Sequence, residues 1–282
     1  MLSYWSNQNS RQVGHASTCT GRALTNTSTD FSAIVVLQLG QAVIRAFYSA
    51  AGRICIERAS VSRYHREAKQ PKAKMQGLVI WGRDNSVNVQ KVLWCCEEIG
   101  LPYQRIDAGG THGVVNTPSY REINPNGLVP TMDEDGFILW ESNAIVRYLA
   151  AKYASHRLWP IDPRTRAIAD QWMDWQTSTF WPTLRPLFIG LIRTEPAQRD
   201  AQALEYARSR TAALLEIMDK HLRTRQFMAG DDFTPADIAL GACTLRWMEL
   251  PIEREEFMHV RRWFERLVER PAFRKVVMRP LT

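Results

Sequence analysis

Two rhythms of apolar residues divide the chain after residue 76. In 77–82, "GLVIWG" is a short, nearly continuous apolar run of the kind that forms a buried strand. It leads into "SVNVQKVLWCCEEIG", where Val89, Val92, Leu93 and Cys96 fall at helical spacing and Gly100 supplies a stop. A second strand is expected over 101–108. A loop containing Gly109, Gly110 and Gly113 follows, and then a short helix over 118–122. "NPNGLVPTM" and "GFILWES" predict two further strands around a turn at Asp135-Gly136. In "SNAIVRYLAAKY", Ile145, Val146, Leu149 and Tyr153 share one helix face. The order β-α-β, short helix, β-β-α predicts a small mixed α/β domain over 75–157, its sheet covered by helices.

After the linker "ASHRLWPIDPR" the rhythm becomes helical throughout, and 163–282 is expected to form an all-α bundle. One long helix starts at Asp162-Pro163 and should bend near Pro182 and Pro186. A second covers "AQALEYARSRTAALLEIMDKHL", and shorter ones follow Thr234, Glu253 and Pro271. "TPAD" (234–237) has the form of a capping box with proline at N1, flanked by Phe233 and Ile238 as a hydrophobic staple. It is read as structural.

Residues 1–74 break the pattern. The first thirty are rich in Ser, Thr, Asn and Gln, and the apolar run over 32–44 is too short and too polar to span a bilayer. The segment is expected to be disordered, or to be translated upstream sequence with Met75 as the true start. Transit-peptide and late signal-peptide readings stand behind these. It also holds the whole charge imbalance. Of 36 Lys/Arg and 29 Asp/Glu in the chain, ten basic residues and three acids lie in 1–74, leaving 26 of each for 75–282. The +7 net charge is therefore no basic field over the body, and nucleic-acid binding is set aside. Five scattered cysteines form neither a CxxC nor a zinc-type spacing, which points to a reducing, cytoplasmic compartment and no metal.

Candidate chemistry sits where strands meet helices. Ser86, with Asn85 beside it, stands between the first strand and its helix. Its hydroxyl either caps the helix, worth about 1 kcal/mol, or faces a ligand anion that the helix N-terminus favours. Val129-Pro130 opens a strand. A cis bond there would offer the Val129 main chain to an extended peptide, although trans is the general expectation. Glu141-Ser142 repeats the strand-to-helix transition. Either Ser142 caps the helix, or it binds a carboxylate while Glu141 faces an ammonium, as an amino-acid head group would require.

Taken with their order and spacing, "NSVNVQKV", "NPNGLVPTM", the "ES" of "WESNAI" and the "TPAD" box resemble the soluble glutathione transferase superfamily over about 208 residues. The Ser motif is most similar to bacterial theta-like members. The resemblance implies a thioredoxin-like domain followed by a helical domain. It also implies an enzyme that activates glutathione as co-substrate for attack on small hydrophobic electrophiles, a detoxifying homodimer without metal. Ser86 would donate to the glutathione sulfur, with Asn88 as rival. Val129, ahead of a cis Pro130, would pair with the cysteinyl part, and Glu141 and Ser142 would bind the γ-glutamyl group. Leu128 stands where many relatives carry a polar contact, so His112 and Asn126 are possible replacements. Trp172, Trp175, Phe180, Trp181 and Arg185 are candidates for the electrophile pocket, with core packing as the alternative for each. Glutathione-dependent reduction, lyase or dehalogenase chemistry, or a non-catalytic interaction module, are the competing implications.

Overall fold

The computed structural model describes residues 77–282 and, within the leading segment, three strands: β1 (Phe31–Leu39), β2 (Ala42–Ser49) and β3 (Ile54–Ser60). They form an antiparallel meander in the order β1-β2-β3. These strands lie within the segment for which disorder was one of the expectations. Ile, Val, Phe and Tyr recur in these runs, and β1 and β2 are two residues apart, as in a hairpin. The readings that turn on Met75 lie outside the described residues. The leading segment and the body form separate compact units.

The body opens with β4 (Leu78–Trp81), α1 (Val87–Ile99), β5 (Gln104–Ile106) and α2 (Pro118–Ile123). The hairpin β6 (Thr131–Glu134) and β7 (Phe137–Trp140) and then α3 (Ser142–Tyr153) complete the first domain. The sheet order is β5-β4-β6-β7, with β4 parallel to β5 and antiparallel to β6. Gly100 ends α1 in the left-handed conformation at φ 70°.

The helical domain comprises α4 (Pro163–Trp175), α5 (Trp181–Phe188), α6 (Ala201–Leu222), α7 (Pro235–Glu249), α8 (Met258–Val268) and α9 (Pro271–Val276). Asp162 caps α4 through the Thr165 N–H at 2.8 Å. Where a bend was expected near Pro182 and Pro186, π turns occupy Gln176–Phe180 and Ile189–Arg193, on either side of α5. A proline has no N–H to give the preceding turn, and a widened turn absorbs the missing bond. The helix expected after Glu253 begins later, at Met258. Its start is set by α6, whose Asp219 accepts the N–H groups of His259 and Val260 at 2.7 and 3.0 Å.

Helix α1 is buried almost all round because the sheet and α3 cover one side and α7 and α9 the other. Trp94 packs edge-on against Phe273 at 4.8 Å. It also lies against Gly241, where an added Cβ would come within 3.1 Å of the indole and 2.5 Å of Leu267. Any side chain at 241 would push α7 off α1. Glu98 receives Arg270 in two bonds of 2.8 and 2.7 Å, adding a charged clasp between the domains.

A polar knot lies inside the same interface. Fully buried Lys91 donates to Asn143 Oδ1 at 2.9 Å and to Gln176 Oε1 at 3.0 Å, and Gln176 reaches the Cys243 sulfur at 3.2 Å. Burial draws the Lys91 ammonium down to a pKa of about 8, and it pushes the thiols of Cys95, Cys96 and Cys243 up. The consequences for stability have opposite signs. Between pH 8 and lysine's ordinary 10.5, the unfolded chain holds the Lys91 proton that the fold has released, so Lys91 adds stability as pH rises. Above about pH 9, unfolded thiols ionise while buried ones do not, and each removes stability at about 1.4 kcal/mol per pH unit. Three thiols outweigh one amine. The urea midpoint is expected to fall above about pH 9, and to fall more steeply in Lys91→Met. A flat profile in both proteins would show that these groups are not buried as described.

Candidate active site

The register brings three strand ends into one row. Trp81 at the end of β4 pairs with Thr131 at the start of β6, which pairs with Trp140 at the end of β7. With neighbouring strands about 4.8 Å apart, this edge of the sheet spans roughly 10 Å. The segments carrying Ser86, Val129 and Glu141 leave or enter the sheet at these three ends.

The turn into Ser86 is tied to the sheet by Gly82 N–H to the Ile106 carbonyl (2.8 Å) and Arg83 N–H to the Ala108 carbonyl (3.0 Å). A Cβ at Gly82 would meet Val89 at 2.3 Å, so only glycine lets this turn lie so close to α1. Ser86 is the N-cap residue of α1 with extended dihedrals, and its carbonyl accepts the first helical bond from Gln90 at 2.8 Å. Its hydroxyl makes no cap bond. The first N–H groups of α1 thus have no side-chain acceptor at the position where serine usually supplies one. Ser86 is 9% exposed and lines a cavity of about 330 Å³, as do Asn85 and Asn88. The Asn85 Nδ2 donates to Thr282 Oγ1, while its buried Oδ1 has no partner among the described residues.

Val129 lines the same cavity, and its bond to Pro130 is cis. The bend is held from behind: Tyr120 Oη and Asn124 Nδ2 both donate to the Leu128 carbonyl, at 2.8 and 2.9 Å. Tyr120 and Asn124 also share Thr131 Oγ1, at 2.7 and 3.0 Å. The Val129 N–H and C=O have no main-chain partner among the described residues. This clamp is not among the candidates read from the sequence. The signal was a tyrosine, an asparagine and a threonine around an apolar Leu-Val-Pro run.

Glu141 is the N-cap of α3 and Ser142 its first helical residue, one place later than expected for Ser142. Glu141 holds φ at 71°, a conformation that costs a side-chain-bearing residue of order 1–3 kcal/mol and clusters at functional sites. Ser142 is buried.

The structure does not bring every candidate to the cavity. His112 is exposed and turns to Asp107, 3.8 Å away. Asn126 bonds to Asn124 Oδ1 through its N–H and its amide, at 3.1 and 3.2 Å. Trp175 and Phe180, proposed for the electrophile pocket, stack on each other at 5.5 Å, with Phe180 fully buried in the core. Successive helical residues diverge by about 100°, so Phe180 cannot share the face of Trp181, and the π turn shifts Trp175 further round. Instead the cavity receives Trp181, Arg185, Phe188, Ile189 and Arg193. Their spacing of 4, 3, 1 and 4 is one helix face, and that ladder was the available signal for Phe188, Ile189 and Arg193. Arg246 of α7 and Arg83 also line it. Among the described residues there is no cluster of three potential metal ligands, and no helix is long and apolar enough to cross a membrane.

A mixed four-stranded thioredoxin-like sheet with a cis-proline bend and an all-helical second domain define the class of glutathione transferases. The chain matches the family models for the glutathione S-transferase N-terminal domain over residues 85–152 and C-terminal domain over 173–271. It belongs to the glutathione S-transferase family. It is 42% identical to glutathione S-transferase GstB of Escherichia coli K12 over 207 residues, 73% of this chain and 100% of that protein. Identity to glutathione S-transferase 3 of Zea mays is 32%, covering 72% of this chain and 94% of the relative. The crystal structure of the theta class glutathione S-transferase from Xanthomonas axonopodis pv. citri, with glutathione bound, is 48% identical with a TM-score of 0.71. That match covers 73% of this chain and 99% of the other.

Proposed function

We propose that this protein is a glutathione transferase in which the Ser86 hydroxyl donates a hydrogen bond to the glutathione sulfur and holds it as thiolate. The observation that carries this is the free hydroxyl: Ser86 occupies a capping position, makes no cap bond and lines the cavity. A free thiol of pKa near 8.5 is mostly protonated at pH 7, and lowering that value by about two units requires roughly 2.7 kcal/mol. One hydrogen bond to a charged acceptor supplies about 1.5–3 kcal/mol, and the helix N-terminus adds about 0.3–1. The proton leaves to solvent. The thiolate attacks the electrophilic carbon, a C–S bond forms, and the leaving group departs with its electron pair.

The rest of glutathione is assigned along the row of strand ends. The Val129 main chain pairs with the cysteinyl unit, and Ser142 with its helix N-terminus takes the γ-glutamyl carboxylate while Glu141 takes the ammonium. Asn88, also at the cavity, is the rival for the sulfur. Thiol-exchange chemistry is disfavoured because Cys95 and Cys96 are buried in α1 with raised pKa values. A cytoplasmic, detoxifying homodimer completes the proposal, and the apolar side chains left exposed on edge strand β7, Phe137 (47%) and Trp140 (38%), support the dimer.

The test is the full chain with glutathione and an activated aryl halide, with thiolate absorbance followed on binding. The absence of both thiolate absorbance and turnover would overturn the proposal. Glu141→Gln and Ser142→Ala are each expected to raise KM for glutathione by roughly tenfold, the effect of losing one charged hydrogen bond. Unchanged KM in both would remove the γ-glutamyl assignment.

A further inference from the structure

The cavity beside Ser86 is lined by four arginines, Arg83, Arg185, Arg193 and Arg246, and by no carboxylate. Asp84, next to Arg83 in the chain, turns to Arg279 at 3.4 Å. Arg193 directs Nε and Nη2 to the main-chain oxygen of Thr282, at 3.0 and 2.7 Å, keeps Nη1 without a hydrogen-bond partner among the described residues, and lies 5.0 Å over the Phe188 ring. Arg246 is the sharpest case. It is only 3% exposed, donates to carbonyls of Ala242 (2.7 Å) and Asn85 (3.4 Å), and its buried Nε has no partner among the described residues. A buried guanidinium facing carbonyls alone has given up hydration without gaining a counter-charge. Burial and the like charges of Arg83 and Arg185 lower the Arg193 pKa, so these cations repel one another. An arrangement of this kind is relieved by an anion.

Resting on the transferase reading, we propose that the electrophile is itself an anion, a carboxylate-bearing aromatic or similarly bulky molecule. Its acidic group is held by Arg185, Arg193 and Arg246 while its ring lies against Trp181 and Phe188. Glutathione accounts for less of this charge, because its proposed contacts run along the sheet edge toward Glu141, whereas these three arginines come from α5, the π turn after it and α7. The chemistry is that of the reaction above. For an aryl chloride the sulfur bonds to the ring carbon, chloride leaves with its electron pair, and the carboxylate stays a spectator that positions the ring.

The test compares 4-chloro-3,5-dinitrobenzoate with the neutral 4-chloro-3,5-dinitrobenzamide, each kcat/KM being divided by the uncatalysed rate with glutathione. The full chain is expected to favour the benzoate by roughly tenfold or more, the value of one charged hydrogen bond. The ratio should fall toward one in Arg193→Gln and Arg246→Gln. Because the buried Arg246 variant risks misfolding, the exposed Arg185→Gln serves as the second variant, with the same loss of preference expected. Turnover of both compounds without preference overturns the inference and leaves the transferase reading intact. A raised KM for glutathione in the arginine variants with an unaltered benzoate-to-amide ratio also overturns it, by assigning the arginines to glutathione. Binding of unreactive 3,5-dinitrobenzoate and 3,5-dinitrobenzamide, read by tryptophan quenching with S-methylglutathione present, needs no turnover. Tighter benzoate binding that is lost in Arg185→Gln supports the inference even where catalysis fails, and equal binding overturns it.

Discussion

Ser86→Ala is expected to lower kcat/KM by roughly ten- to a hundredfold, the loss of one hydrogen bond of about 1.5–3 kcal/mol to a charged sulfur. It should leave the melting temperature within about 1 °C of the parent. The second half is the more discriminating. A serine that caps its helix contributes about 1 kcal/mol, and for a domain of this size its removal would lower Tm by about 2–4 °C. Ser86 makes no such bond, so the fold should not register its loss while the chemistry should. Thiolate absorbance with bound glutathione should appear only at higher pH in the variant, displaced upward by about one to two units. The rival is settled by the same measurement. If Ser86→Ala keeps its activity and its absorbance profile while Asn88→Ala loses both, the sulfur contact belongs to Asn88.

The parts of this structure that were legible in the sequence are those governed by local period and punctuation. Val89, Val92, Leu93 and Cys96 at helical spacing with Gly100 behind them give α1 and its αL stop. Asp135-Gly136 gives the β6–β7 turn, and Asp162-Pro163 gives the start of α4. What was hidden depends on partners distant in the chain. Lys91 reads as a solvent-facing lysine, yet it is buried because Asn143 and Gln176, 52 and 85 residues away, meet its ammonium. The start of α8 is set by Asp219 of another helix, so the acidic run before Met258 misleads a local reading. Trp175 and Phe180 show the effect of phase. An aromatic-rich helix advertises a pocket, but which aromatics face it depends on where the helix widens, and a π turn is invisible to a fixed 3.6-residue period. Arg83 and Arg246 come to one cavity from opposite ends of the body, a convergence that no local pattern encodes.

The buried start of α7 should be the most sensitive point of the fold. Asp237 is fully buried, and its carboxylate accepts four bonds: the N–H groups of Met228 and Thr234 at 2.8 Å each, the Thr234 hydroxyl at 3.1 Å and the Trp263 indole N–H at 2.8 Å. It ties together the loop before α7, the cap of α7 and the face of α8. Asp237→Ala removes one acceptor and leaves four buried donors without partners, each such orphan costing about 1–3 kcal/mol before relaxation or water entry. Since the donors share one site, their losses do not add fully. A total of about 4 kcal/mol is expected, lowering Tm by roughly 8–16 °C at about 2–4 °C per kcal/mol. Asp237→Asn keeps the volume and one acceptor oxygen but turns an amide NH2 toward existing donors, so it should fall between the two. Activity per folded molecule should suffer less than stability, because Arg246 enters the cavity nine residues further along α7, about 13 Å away. A Tm loss below about 3 °C in Asp237→Ala would mean that water or a rearranged loop satisfies these donors. The buried carboxylate would then be dispensable to the fold.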